Sequence, residues 1–255
     1  MNKFLLIGLI SLLGLPSQAL VFDMGKEKFG AYLRGTFLPS WGGATDPFGQ
    51  SSGSNVAFNG AFTNVTSYEF GFLFNGGPVT YRVGFELIQP PGLSGVNGTN
   101  ASGSTTYYSM NSQMTVYMPK VGLEFNLKTW KESRLWLYGE YGSANIAVQN
   151  SYQLTAAGNA QFPGVSNFRE VVVGYQNAFT GTLGFETLVS DTSTICLELG
   201  YRSLDFSSLN EQAAVTDFQG AQGTGAAALQ NNGTSPRNIN LSGAFAALMF
   251  RIWVY

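Results

Sequence analysis

The residues best placed to do chemistry are acids and bases that recur beside glycines in short alternating segments. In "VTYRVGFELI", starting at Val79, Arg82, Gly84 and Glu86 share one face, while Tyr81, Val83, Phe85 and Leu87 fall on the other. "KVGLEFNL" repeats the pattern, with Lys120, Gly122 and Glu124 set against Val121, Leu123, Phe125 and Leu127. Gly184 stands beside Glu186, and Glu198 beside Gly200 and Arg202, in two further segments of this kind. Collected along the chain, the charged face carries acids Glu69, Glu86, Glu124, Glu140, Glu186 and Glu198 and bases Arg34, Arg82, Lys120, Arg134, Arg202 and Arg251. Carboxylates alone can act as general acid and base, and here they are the remaining route to catalysis. The chain has no histidine and a single cysteine, Cys196. Zinc sites built from His and Cys, and an internal disulfide, are therefore excluded. There is no phosphate-cradling GxxxxGK[ST] string. Acids and bases in equal number on one face read better as a structural ion network than as a catalytic, metal or cofactor site.

The elements that must position these residues are strands, because the apolar residues alternate with period two. This alternation predicts eight strands, at about 28–41, 65–75, 79–90, 113–127, 134–148, 173–189, 194–206 and 239–255. The links at 75–78, 128–133 and 190–193 are short and rich in turn residues. Those at 42–64, 91–112, 149–172 and 207–238 are long and dominated by Gly, Ser, Asn, Thr, Ala and Gln. The sequence predicts these four as loops.

Composition narrows the class. Only 11% of the 255 residues are charged while 14% are aromatic, which excludes a disordered chain. No basic patch supports nucleic-acid binding. Residues 1–19, "MNKFLLIGLISLLGLPSQA", read as a signal peptide: Lys3, an apolar stretch too short to span a bilayer, and a small-residue cleavage motif.

Eight long strands with alternately short and long links resemble the small eight-stranded outer-membrane β-barrels of the OmpA, OmpX and OmpW type. The resemblance rests on this architecture across nearly all of residues 20–255. It implies an all-β, antiparallel, up-and-down transmembrane barrel with both termini periplasmic and the long loops extracellular. It further implies outer-membrane lipid and lipopolysaccharide as surroundings, and the barrel-assembly machinery as the partner during insertion. Enzymatic barrels of the phospholipase, deacylase, palmitoyltransferase and omptin types use an active-site histidine that this chain lacks, so none of those mechanisms carries over.

In such a barrel the bulky apolar face, for example Tyr68, Phe70, Phe72 and Phe74, meets lipid, and the charged face fills the lumen. In a soluble sandwich the same charged face would be solvated outside. The ending "FRIWVY" resembles the strand read by the insertion machinery, with Phe250, Ile252, Trp253 and Tyr255 as its signal. The lumen is the better reading for Arg251, with Phe250, Ile252 and Val254 facing lipid and Trp253 and Tyr255 pointing inward near the rim; the alternative, with the terminal aromatic on the lipid side, turns Arg251 outward at the interface. Trp41, Trp130, Trp136 and Trp253 lie near strand ends and are expected in the interfacial girdles. Tyr107, Tyr108, Tyr152, Phe162 and Phe218 are candidate anchors for a surface partner of the loops. Three functions fit. The first is a non-enzymatic barrel with a packed polar lumen that stabilises the membrane or presents its loops. The second is a narrow channel for small or hydrophobic solutes, and the third is a secreted soluble sandwich.

Overall fold

Alternation over long segments gives strands whose two faces have different solvents. Which face is inside then depends on whether the sheet closes. The computed structural model describes residues 28–39, 56–57, 60, 62, 64–100, 102–229 and 236–254. The predicted signal peptide, Trp41, Tyr255 and most of the 42–64 link lie outside the described residues.

Eight strands dominate: β1 (Phe29–Pro39), β2 (Asn64–Asn75), β3 (Val79–Ile88), β4 (Thr106–Thr129), β5 (Ser133–Leu154), β6 (Phe168–Ser190), β7 (Ser193–Ser203) and β8 (Gly243–Val254). Each pairs antiparallel with its neighbours in sequence. β8 returns to pair with β1, from Phe29 opposite Val254 to Phe37 opposite Ala246. The sheet is therefore a closed eight-stranded barrel with no free edge in its lower part, which rules out a two-sheet sandwich. The backbone donors and acceptors are satisfied by ring closure, the condition a sheet must meet to sit in hydrocarbon.

The polarity of the faces is inverted relative to a soluble barrel. Leu33, Phe70, Phe72, Val83, Leu123, Leu183, Leu199 and Phe250 are exposed on the outside, and the apolar outer face runs round the whole ring. Monomeric soluble proteins rarely expose apolar patches beyond a few hundred Å². The belt on β4 runs from Tyr117 to Leu127. About 11 residues tilted near 40° climb roughly 28 Å, close to the ~25 Å apolar band of membrane barrels.

The strands do not end with the belt. β4, β5 and β6 have 24, 22 and 23 residues, at least twice the 9–11 or so needed to cross a membrane. This corrects the predicted spans 113–127, 134–148 and 173–189. The stretch 91–112 is largely strand and includes a further strand, Leu93–Asn100, paired to β4, while 149–172 begins and ends in strand, at 149–154 and 168–172. The short helix Ala156–Gln161, capped at its first turn by the Thr155 hydroxyl, joins β5 to β6. Residues 204–229 and 236–242 form a strap. In it Asp205–Phe206 pairs with Ile239–Asn240, Asn210–Glu211 pairs with Val172–Val173 of β6, and Val215–Asp217 forms a hairpin with Gly220–Gln222.

Above the belt the alternation keeps its phase while the two faces exchange polarity. On β4, Asn111, Gln113 and Thr115 now point outward and Met110, Met114 and Val116 inward. On β5, Ser143 and Asn145 point outward, and Ala144, Ile146 and Val148 inward. The upper ends of β4, β5 and β6 are thus a soluble-type crest built on the same backbone as the membrane barrel.

Candidate functional site: the ion-paired interior

Register sets the site. Arg34 lies directly across from Glu69 on the β1–β2 ladder, and Arg134 across from Glu186 on the β5–β6 ladder. Glycines lie across from several of the other long side chains: Gly122 between Arg82 and Glu140, Gly84 opposite Lys120, and Gly184 between Trp136 and Glu198. These glycines leave room. A Cβ on Gly122 would meet the Tyr138 ring at 2.5 Å, and one on Gly184 would overlap the Trp136 indole. Glycines such as Gly84, Gly122 and Gly184, each two residues from a glutamate, thus place an empty position next to a bulky neighbour inside the ring.

All twelve charged residues of the predicted face are buried inside the barrel, where they form one connected network. Arg34 bridges Glu69 at 2.8 Å and Glu198 at 2.7 Å. Arg82 joins Glu198 at 2.9 Å and also Glu124. Lys120 places one ammonium among three carboxylates, Glu69 at 2.7 Å and Glu86 and Glu140 at 2.8 Å each. Arg202 closes on Glu86. Arg251 reaches Glu124 and, at 2.8 Å, Glu186, which also takes Arg134 at 2.6 Å. Hydroxyls fill remaining acceptor sites: Tyr32 donates to Glu69, Tyr138 to Glu140 at 2.7 Å, Ser67 to Glu86 and Thr194 to Glu186. Lone buried ions are very costly, whereas here each charge has an opposite partner.

Arg251 faces inward, and Phe250, Ile252 and Val254 face lipid. Trp253 and Trp136 are buried inside, which corrects their expected place in the girdles, while the inward facing of Trp253 agrees with an inward Arg251. Both share the parity of the charged residues, and their rings receive guanidinium groups. Arg251 lies 5.2 Å and Arg82 4.6 Å from Trp136, and Arg134 lies 5.5 Å from Trp253. Trp130, on a short turn, is exposed. The upper girdle consists of tyrosines, with Tyr68, Tyr117, Tyr141, Tyr175 and Tyr201 on the outer face.

No family model and no curated protein matches the chain. Among solved structures, it is similar to Neisserial surface protein A at 8% identity and TM-score 0.42, over 89% of this chain and 97% of that one. It is similar to the outer membrane protein OprG from Pseudomonas aeruginosa at 11% identity and TM-score 0.46, over 91% and 98%. It is also similar to the outer membrane protease OmpT from Escherichia coli at 8% identity and TM-score 0.39, over 93% and 100%.

The interior above the ion network is apolar, which corrects the expectation of a polar lumen throughout. Leu38, Ile88, Met114, Val116, Met118, Ile146, Leu204, Phe206, Ile239 and Leu241 pack into one buried cluster there. Higher still, Tyr108 and Tyr152 are buried and pack with Phe162, Phe168 and Phe218, whose ring lies 4.7 Å from both Tyr108 and Phe162. The aromatic residues expected as loop anchors for a partner therefore hold the crest together.

A second charged group, absent from the predicted set, lies in this crest. Glu170 Oε1 accepts from Arg237 at 2.7 Å, from Asn150 at 2.7 Å and from the Tyr152 hydroxyl at 3.1 Å. Glu211 is buried nearby. The available signal is the alternation Phe168, Glu170, Val172, which extends β6 upward in phase.

Proposed function

We infer that the protein is a non-enzymatic outer-membrane barrel whose closed interior supports a folded extracellular crest, and that this crest is the working surface. The observation that carries the reading is the filling of the interior along its whole height. A floor containing Trp136 and Trp253, a belt of twelve ion-paired side chains and an apolar plug lie one above another. An eight-stranded barrel has an interior just wide enough for side chains, so this stacking favours a plug over a channel. The twelve charges serve as structural cross-links between strands. With no histidine in the chain and every acid of the twelve-residue network paired to a base, the network offers no free base for hydrolysis.

Both termini are assigned to the periplasm and the crest to the cell exterior, since short turns are periplasmic in bacterial barrels. Outer-membrane lipid and lipopolysaccharide would then surround the belt, and the assembly machinery would engage β8. The test is single-channel recording of refolded protein in a planar bilayer, with folding verified by a difference in gel mobility between unheated and boiled samples. Silence is expected. Steady, reproducible conductance would overturn the plugged reading and put a narrow channel in its place.

A further inference from the structure

Where the strap pairs with β6 it buries a carboxylate, Glu211, one of whose oxygens lacks a hydrogen bond among the described residues. Glu211 extends the β6 ladder opposite Val172 and turns its side chain inward, where the residue is 3% exposed. Its Oε2 makes no hydrogen bond among the described residues. The neighbouring carboxylate, Glu170, accepts from Arg237, Asn150 and Tyr152 on its Oε1. Two acids therefore lie near a single guanidinium, which bonds Glu170 and the Leu229 carbonyl at 3.1 Å while its Nε makes no hydrogen bond among the described residues. The backbone around Glu211 is tightly tied. Its N–H donates to Ala226, the Gln212 N–H to Val171, the Ala228 N–H to Leu209 and the Arg237 N–H to Ala228, each at 2.8 Å.

We propose that Glu211 is a proton-operated latch: protonated, it holds the strap docked on the crest, and ionised, it weakens that docking. The ionisable groups acting on it are Glu170 of β6 and, within the strap, Arg237 and Asp217. From β5, Tyr152 bonds to Glu170, and Arg169, the neighbouring charge on β6, faces away from the interior. Burial, followed by the Glu170 charge, pushes the Glu211 carboxyl up from 4.5 to about 7, against the pull of Arg237. The docked state therefore holds a proton that the undocked state releases between pH 4.5 and 7. Docking is strongest below that window, weakens as pH rises through it, and is level above it. Because the side chain is released from a mixed environment, the expected rise in the opening constant from pH 5 to pH 8 is about tenfold or more, below the full shift.

Opening would uncover Phe218, which the strap inserts among Tyr108, Phe162 and Phe168. The aromatic cluster would then be presented to the exterior in a pH-dependent way. This latch does not depend on whether the barrel conducts.

The experiment is amide hydrogen exchange on the full-length folded protein in detergent micelles at pH 5 to 8, corrected for intrinsic rates. The readout is the protection of the amides of Glu211, Gln212, Ala228 and Arg237, with the β1–β8 ladder as internal control. Protection of the strap should fall about tenfold or more between pH 5 and 8 while the ladder stays level. In Glu211→Gln, which mimics the protonated form, the strap should stay protected throughout. Level strap protection in the wild type, or an unchanged pH response in Glu211→Gln, would overturn the proposal.

Discussion

The lower and upper halves of β4, β5 and β6 share one backbone and opposite rules of stability. Within the belt, Leu123 and Phe125 face outward to lipid while Lys120 and Glu124 are buried within. A few residues up the same strand, Gln113 and Asn111 face outward while Met114 and Met110 are buried. The hydrophobic effect orders only the upper half, because below it the outer solvent is as apolar as any core. The lower half instead depends on backbone closure and on charges that cannot be separated cheaply in a confined interior. Strand geometry is therefore indifferent to which face is dry, and the boundary at Tyr117 and Tyr141 marks where the solvent changes.

The sharpest way to break this contrast is inside the lower half. Glu124→Leu removes the shared partner of Arg82, Arg134 and Arg251. Chemical unfolding in detergent should show a loss of about 3–5 kcal/mol. Glu132→Leu, on an exposed turn, should change stability by less than about 0.5 kcal/mol. Equal effects would remove the distinction between lumenal and surface charge.

On the outer face, the position of the boundary can be read with one substitution above it and one below. Leu123→Arg, in the belt, should cost about 2–4 kcal/mol, and Gln113→Arg, above it, about 0–1. Unfolding from lipid vesicles measures both, and comparable costs would move the boundary upward.

A subtler test separates the halves from each other. Ile146→Ala, in the apolar plug, should cost about 2–4 kcal/mol locally. Its effect should appear as faster amide exchange in the crest and strap, with heat-dependent gel mobility unchanged. Loss of the mobility difference would show the two halves to be one cooperative unit.

Much of the barrel was legible because lipid enforces strict alternation. Tyr68, Phe70, Phe72 and Phe74 fix a parity, and the same parity carries Glu69 inward. Trp136 could have been placed by that logic, since it shares parity with Arg134, Tyr138 and Glu140. Its nearness to a strand end suggested an interface instead. The crest was hidden for a different reason. Ser109, Asn111, Gln113, Asn145 and Gln149 form a neutral, water-facing strand surface whose composition matches that of a loop. The Glu170–Arg237 pair joins residues 67 positions apart, and nothing in the local pattern announces such a contact.

The unbroken passage of β4, β5 and β6 through the boundary has a mechanical consequence. The β4–β5 and β5–β6 ladders keep their register from the crest to the short turns, apart from a gap at Met118 and Pro119 and an irregularity near Asn126. A pull on the crest is thereby loaded along the strands, in shear, across many hydrogen bonds at once, instead of peeling them one by one. Force applied at the crest would be transmitted to the whole barrel as one stiff staff.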